Sequence, residues 1–214
     1  MSWLARINID YETAARRKLQ DSYAWHQAMW STFPNRNDED RSFLFRVDTR
    51  NDGPEALLLT RVEPVRPDWC PEEGWSVKTI KPEFFGNRFY RFDLRANATR
   101  KVKKLNGSGE PNKNGRRAVI SDEKELHAWL ERKAGQGGFR LVDAPPLIID
   151  PRVDYRFRKD KGNTSGLHVG VRFRGALEIT DAQRFEETFH SGIGSAKAFG
   201  FGMLLLQPIQ PTNQ

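Results

Sequence analysis

Cysteine is almost absent from this 214-residue sequence, since Cys70 is its only example. One cysteine can form neither an intrachain disulfide nor a cysteine-based metal cluster, so a reducing cytoplasm is the expected compartment. No signal-peptide-like apolar run opens the chain, and no later stretch approaches the ~20 apolar residues of a membrane helix. His127, His168 and His190 lack the spacing of a helix-borne metal site. We therefore expect neither a metal nor a cofactor.

Acidic residues are outnumbered by basic ones, 28 against 35, which gives a net charge of +7 and a pI near 9.7. The excess is concentrated between Gly86 and Ile120, where ten Lys or Arg stand against two acidic residues. Such a local excess is typical of a surface that binds phosphates, although a solvated basic loop beside a core would show it too. It includes four candidate RNA-binding residues, Arg100, Lys101, Lys103 and Lys104.

Hydrophobic periodicity divides the chain into two halves of similar order. Residues 1–85 predict a strand, a helix, a hairpin, a proline-rich stretch in place of a second helix, and a strand. These elements are Trp3–Ile9, Tyr11–Thr32, Phe43–Val47, Ala56–Val62, Pro64–Gly74 and Ser76–Phe84.

Residues 86–214 repeat that order around a long hairpin with a basic tip. The predicted elements are strand Phe89–Asn97, basic loop Arg100–Lys104, a helix capped by Ser121, strand Phe139–Val142, hairpin arms Leu147–Arg158 and Leu167–Ile179, a helix from Thr180 to His190, and strand Met203–Leu206. The repeat predicts an α+β protein of two tandem ferredoxin-like (RRM-like, βαββαβ) domains.

A glycine-rich loop, Gly192–Gly202, is the sharpest local motif. It follows a helix and lacks a Gly-Lys-Ser/Thr ending, so it matches neither a dinucleotide nor an NTP-binding loop. Its exposed amides and its lysine instead favour RNA phosphates. The alternative is a tight loop before a strand, with its phenylalanines in the core. The RNA-binding candidates here are Gly192, Gly194, Lys197, Gly200 and Gly202.

The glycine-rich loop, the segment Phe92–Thr99 with its basic continuation, and Ser22–Trp30 together resemble the repeat-associated RNA-processing superfamily of CRISPR systems, and within it the type I-E endonucleases. The resemblance spans nearly the whole chain. It implies a metal-independent endoribonuclease that cleaves pre-crRNA at the base of the repeat stem-loop and stays bound to the crRNA as a subunit of the Cascade complex.

The same resemblance implies that Tyr23 and His26 are the catalytic pair. Their three-residue separation puts both side chains on one helix face, where a histidine alone would more often be structural. Imidazole can transfer a proton near neutral pH, which suits attack by the RNA 2′-OH on the adjacent phosphate. Tyr23 would orient the 2′-OH or His26, because an unperturbed phenol stays protonated.

The long hairpin carries the remaining RNA-binding candidates, Arg156, Arg158, Lys159 and Lys161. By resemblance, the two arginines would read guanine edges at the end of the stem, where the major groove is open. A soluble, charged sheet edge is the alternative. A noncatalytic RNA-binding protein with the same duplicated fold would share every feature except the Tyr23/His26 pair. A structural subunit of a CRISPR complex is a third alternative, and it is compatible with the nuclease, because product retention would make the nuclease a permanent component.

Overall fold

The computed structural model describes residues 1–34, 43–103, 116–159 and 164–209. Within these ranges the protein is a mixed α/β structure whose sheets are antiparallel. No helix in these ranges combines the length and hydrophobicity needed to cross a membrane.

The first half forms a four-stranded sheet with the order β2-β3-β1-β4, covered on one face by two helices. Its elements are β1 (Ser2–Asn8), α1 (Tyr11–Arg16), α2 (Ser22–Trp30), β2 (Phe43–Thr49), β3 (Pro54–Thr60) and β4 (Trp75–Ile80).

Strands β2 and β3 have buried side chains on both faces of this sheet, since buried residues stand next to each other along each strand and successive residues point to opposite sides. Ile7, Phe45 and Leu58 pack on the face that α2 covers with Trp25. Leu44 and Leu59, which are partners in the β2–β3 register, face the other way and join the core of the second half. The two halves therefore share apolar contacts as well as a covalent link.

The predicted single helix Tyr11–Thr32 is wrong, because two helices occupy this segment. α1 ends at Arg16, and Lys18 then adopts a positive φ of 56°. Asp21 starts α2 anew, since its side chain accepts the first free amides of that helix. In the proline-rich stretch only a 3-10 turn forms, at Glu72–Gly74, because proline lacks the amide that a longer helix would need.

The second half forms a sheet with the order β10-β11-β5-β12, in which β8 and β9 also pair with β11. Two helices cover one face, where Trp129 stacks on Phe173 and Phe185 contacts Tyr90. The elements are β5 (Phe89–Ala96), β6 (Thr99–Val102), β7 (Arg116–Val119), α3 (Glu123–Gln136), β8 (Phe139–Val142), β9 (Ile148–Ile149), β10 (Val153–Lys159), β11 (Thr164–Ile179), α4 (Ala182–Ser191) and β12 (Leu204–Pro208).

Two local predictions in this half need correction. Arg100 and Lys101 lie on strand β6 rather than in a loop, because β6 pairs with β7 as a separate two-stranded ribbon. The N-cap of α3 is Asp122 instead of Ser121, since the Asp122 carboxylate accepts the Glu125 amide at 2.9 Å. The intervening residues 104–115 lie outside the described ranges.

Candidate active site and nucleic-acid interface

Helix α2, which carries both candidate catalytic residues, begins at Asp21. Oδ1 of Asp21 accepts hydrogen bonds from the amides of Tyr23 and Ala24, each at 2.9 Å. These two bonds satisfy amides that have no partner inside the helix. The buried side chains of Trp25 and Met29 then hold the helix against the first sheet. The cap fixes where α2 starts, and the buried pair fixes which face it turns outward.

Tyr23 and His26 are both half-buried, one helical turn apart. The His26 ring lies among aromatic side chains, with centroid distances of 6.0 Å to Phe43, 6.3 Å to Phe45 and 6.3 Å to Trp30. The Phe45 ring is nearly parallel to the imidazole, at an interplanar angle of 27°. These rings restrict the imidazole on the protein side, and its Nε2 atom is buried although the residue as a whole is half-buried.

The glycine-rich loop owes its shape to backbone conformations that only glycine adopts readily. Gly192, Gly194, Gly200 and Gly202 all have positive φ values, between 76° and 87°. A Cβ on Gly202 would lie 2.6 Å from the carbonyl oxygen of Ile193. These glycines are therefore required by the positive φ values, and Gly202 also by the close approach of the Ile193 backbone.

This loop joins three other parts of the molecule. Its 3-10 turn Lys197–Phe199 contacts both α2 and β2. On another side, Phe199 lies 4.5 Å from the rings of Phe157 and His168 in the long hairpin. Nearer its start, Ser195 donates a hydrogen bond to Asn97, at the end of β5. Lys197, which is half-buried, is thereby carried on a turn that touches the helix of Tyr23 and His26.

The long hairpin, β10 with β11, exposes its arginines on one face. Arg156 and Arg158 are exposed and alternate with half-buried Tyr155 and Phe157. Phe157 faces the glycine-rich loop, so strand alternation turns the two arginines away from it. The side chain of Lys159 is outside the described part of the hairpin, and so is the whole of Lys161.

The β6–β7 ribbon carries the second group of predicted RNA-binding residues. Arg100 forms an ion pair with Glu125 of α3, in which its Nη1 donates to the carboxylate at 2.6 Å. Lys101, which points to the opposite face of the strand, is exposed, as is Lys103 just beyond it. Lys104 lies outside the described ranges. Within this ribbon, Lys101 and Lys103 are therefore better candidates for phosphate contacts than Arg100.

A network of ion pairs, which was not predicted from the sequence, joins the two sheets. Arg46 of β2, only 1% exposed, donates to Asp48 and to Asp93 of β5. Asp93 also accepts bidentate hydrogen bonds from Arg172, and Arg95 forms an ion pair with Asp48. Burial alone would raise the pKa of Asp93, but hydrogen bonds from Arg172 and Arg46 outweigh it, so this pKa lies below its usual value.

A cleft of about 380 Å³ opens beside this network, between the start of α2 and strand β10. The guanidinium of Arg95 lies over the ring of Tyr155, 5.5 Å from its centroid, within the cleft wall. Asp21 and Phe45 line the first-half side, and Phe199 lines the second. The candidate catalytic helix and the basic hairpin are therefore neighbours across a cleft between the two halves of the molecule.

Comparison with known proteins decides the family. A family model described as CRISPR associated protein matches residues 2–208. This chain belongs to the CRISPR associated protein family. The Cascade subunit CasE of the Escherichia coli K12 CRISPR system is 37% identical over 204 residues, which cover 91% of this chain and 96% of CasE. The resemblance to type I-E processing proteins is thus confirmed.

Two further comparisons concern Cse3 of Thermus thermophilus, named as a CRISPR-associated endoribonuclease. It is 29% identical over 223 residues, covering 96% of this chain and all of Cse3. A structure of Thermus thermophilus Cse3 bound to an RNA representing a pre-cleavage complex superposes with a TM-score of 0.73 at 28% identity, over 97% of this chain and 99% of that one. This CRISPR associated protein therefore shares its whole fold with an RNA-bound relative.

The histidines outside α2 have structural surroundings in this CRISPR associated protein. Burial lowers the pKa of His168, which stacks on Phe157, and of His190, whose Nδ1 lies 2.8 Å from the Glu186 carbonyl oxygen. His127 is on the exposed face of α3, 3.6 Å from Glu131. In the described ranges, no group of three His, Cys, Asp or Glu is arranged to hold a metal ion.

Proposed function

We propose that this chain is the endoribonuclease that processes CRISPR repeat RNA, cutting at the 3′ base of the repeat stem-loop and keeping the mature crRNA. The names and RNA complexes of its relatives support this function over their full lengths. One structural observation carries it. The helix of Tyr23 and His26 lies against the glycine-rich loop, and the same loop holds the hairpin of Arg156 and Arg158.

The fold that we propose is a tandem of ferredoxin-like domains, residues 1–85 and 86–214. In the first sheet the strands are ordered fourth, first, third, second, as a βαββαβ unit orders them. The second sheet has the equivalent order when β5, β8 or β10, β11 and β12 are taken as its four strands. The 3-10 turn Pro82–Gly86 lies at the proposed boundary. Packing of Leu44 and Leu59 into the second core supports two domains that move together.

The proposed reaction is an internal transfer at phosphorus. The 2′ oxygen of the RNA forms a bond to the adjacent phosphorus, the bond from phosphorus to the 5′ oxygen breaks, and the products carry a 2′,3′-cyclic phosphate and a 5′-OH. One proton leaves the 2′-OH and one reaches the 5′ oxygen. His26 performs one of these transfers, and Tyr23 orients the 2′-OH or the imidazole. A cation is needed for the charge that develops on the phosphate, and Lys197, on the turn against α2, is our candidate.

RNA selection in this proposal combines shape with a few base contacts. Arg156 and Arg158 read guanine edges at the end of the stem, with Lys159 and Lys161 extending the basic hairpin. Phosphate contacts come from the β6 side and from the glycine-rich loop. They involve Arg100, Lys101, Lys103, Lys104, Gly192, Gly194, Lys197, Gly200 and Gly202.

Retention of the product makes the nuclease a lasting part of an assembly, and the Cascade name of the CasE relative supports that partner. A reducing cytoplasm is the compartment we propose. Cys70 is buried, and desolvation raises the pKa of its thiol to about 11, so the thiol stays protonated there.

The proposal is tested by incubating wild-type protein and His26→Ala with the host's repeat RNA in EDTA, followed by a denaturing gel and a binding assay. We expect the wild type to cut at one position and His26→Ala to bind the RNA with little loss of affinity but not to cut it. Binding without cleavage by the wild type would instead support a noncatalytic RNA-binding protein. Normal turnover by the variant would reject His26 as the catalytic group.

A further inference from the structure

Asp21 uses its two carboxylate oxygens for two different elements. Oδ1 caps α2 through the amides of Tyr23 and Ala24, as described above. Oδ2 accepts a hydrogen bond from the backbone amide of Arg158, 137 residues away, at 2.9 Å. One side chain therefore ties the first turn of the candidate catalytic helix to the strand that carries the candidate RNA-reading arginine.

The Arg158 amide is available for this bond because β10 is the edge strand of its sheet. In an antiparallel pair, alternate amides of an edge strand point away from the partner strand. Asp21 accepts one of these outward amides, directly beside the exposed side chain of Arg158. A shift of the hairpin when RNA engages Arg158 would therefore act on the Asp21 carboxylate.

Among the capping aspartates of the described ranges, Asp21 is the one that also bonds to a different element. Four aspartates cap the α-helices of the described ranges, and the other three, Asp10, Asp122 and Asp181, accept their capping bonds from amides of their own helices. Asp181 adds a contact to Arg184, which belongs to the helix it caps. The bond from Asp21 to the hairpin is therefore an addition to what capping requires.

We infer that Asp21 is a positioning residue that couples engagement of the basic hairpin by RNA to the placement of Tyr23 and His26. This inference rests on the proposed function. The Asp21 carboxylate accepts hydrogen bonds from the amides of Tyr23, Ala24 and Arg158, and so holds the start of α2 at a fixed distance from the backbone of Arg158. A displacement of about 1 Å in a catalytic group can cost about 100-fold in rate. Loss of the bond between Asp21 and the Arg158 amide should therefore slow cleavage while Arg156 and Arg158 still bind RNA.

Two substitutions of Asp21 remove the hydrogen bond to the Arg158 amide and keep the cap of α2. Asp21→Asn keeps an oxygen for the helix amides but turns an amide group, a donor, toward the donor of Arg158. Asp21→Ser also keeps a good helix cap, yet its single short hydroxyl does not supply the second acceptor. Asp122→Asn is the matched control, because Asp122 caps α3 through the Glu125 amide in the same way. All three variants lose one negative charge.

The measurements are the Kd for the uncut repeat RNA and the single-turnover cleavage rate, with amide hydrogen exchange at Arg158 as a direct readout of the bond. For Asp21→Asn and Asp21→Ser we expect a rate about 10- to 100-fold lower, a Kd that is unchanged or slightly tighter, and faster exchange at Arg158. Asp122→Asn should cleave at the wild-type rate.

Three results would overturn the inference: a wild-type rate in Asp21→Asn, a wild-type rate in Asp21→Ser, or a fall in affinity that matches the fall in rate. The last would make Asp21 part of RNA binding alone. The test distinguishes failure of this inference from failure of the proposed function, because the latter would appear as no cleavage by the wild type and by Asp122→Asn in the same assay.

Discussion

Arg46 in the first sheet donates a hydrogen bond to Asp93 in the second, with 2.7 Å between Nη1 and Oδ1. Arg46 is fully buried, so its charge is stabilised by the carboxylates of Asp93 and Asp48. The pair bridges β2 and β5, and Asp48 extends the network to Arg95, which lines the cleft between α2 and β10. Ion pairing at this point fixes the halves relative to each other.

Replacement of Asp93 by Asn should destabilise the protein in a pH-dependent way. The pKa of Asp93 is lowered in the folded state, so its carboxylate adds stability above the unfolded-state pKa of about 3.9, and this contribution is lost as the pH falls through the folded-state pKa. Urea unfolding should show a loss of roughly 1.5–3 kcal/mol at pH 7, the usual range for hydrogen bonds to a charged group, that shrinks below pH ~4. An equal loss at all pH values would contradict the ion-pair assignment, and exposed Asp143→Asn serves as the control.

Arg158→Ala should weaken binding to the cognate stem more than to a scrambled stem of equal length. An arginine that contacts a guanine edge contributes about 1–3 kcal/mol of discrimination, or about 5- to 150-fold in relative Kd. The exposed position of Arg158 on β10 allows the truncation without loss of core packing. Filter binding with both RNAs measures the ratio. An equal loss for both RNAs would mean that Arg158 contacts only phosphates.

Lys101→Gln should weaken binding to all RNAs. It should also reduce the slope of log Kd against log salt concentration by about one, because one counterion fewer is released. Its neighbour Arg100 provides the comparison, because Arg100 is engaged by Glu125 and should contribute less. The measurement is the slope of log Kd against log salt concentration for wild type, Lys101→Gln and Arg100→Gln. A larger change for Arg100→Gln would contradict the assignment of these two side chains.

Gly202→Ala should reduce stability by about 2–3 kcal/mol, because its φ is 85° and the new Cβ would meet the Ile193 carbonyl oxygen. Gly135 in α3 is the matched control, since no atom lies within 4 Å of its Cβ position and alanine there should stabilise the helix slightly. Thermal unfolding measures both. If Gly202→Ala kept its stability and lost only RNA affinity, the packing explanation would be wrong.

The order of strands and helices was predictable because alternation and turn residues are local signals. The β2–β3 hairpin around Gly53 and the β10–β11 hairpin both form where the pattern indicated them. Prediction failed where a distant partner decides the structure. Arg100 and Lys101 form a strand because β7 pairs with them. The start of α2 was missed for a local reason, since Asp21 caps that helix within a segment of uniform helical composition.

The candidate site was predictable only in part. Tyr23 and His26 were identified by resemblance, and no physical feature of the sequence distinguished them from a core-facing pair. Asp21 and Arg46 were missed, because their roles depend on contacts with Arg158 and Asp93, which lie far along the chain. A charged residue within an apolar strand segment, as Arg46 is within Phe43–Val47, is the one local signal that could have indicated such a contact.

The central claim is that the RNA supplies its own nucleophile at the imidazole of His26. The most direct test uses repeat RNA with a single 2′-deoxy substitution at the nucleotide before the scissile phosphate, incubated in EDTA with the wild-type protein. We expect this RNA to bind as tightly as the all-ribose RNA and to remain whole, while the all-ribose RNA yields a 2′,3′-cyclic phosphate. Cleavage of the 2′-deoxy RNA at the same position would contradict the account.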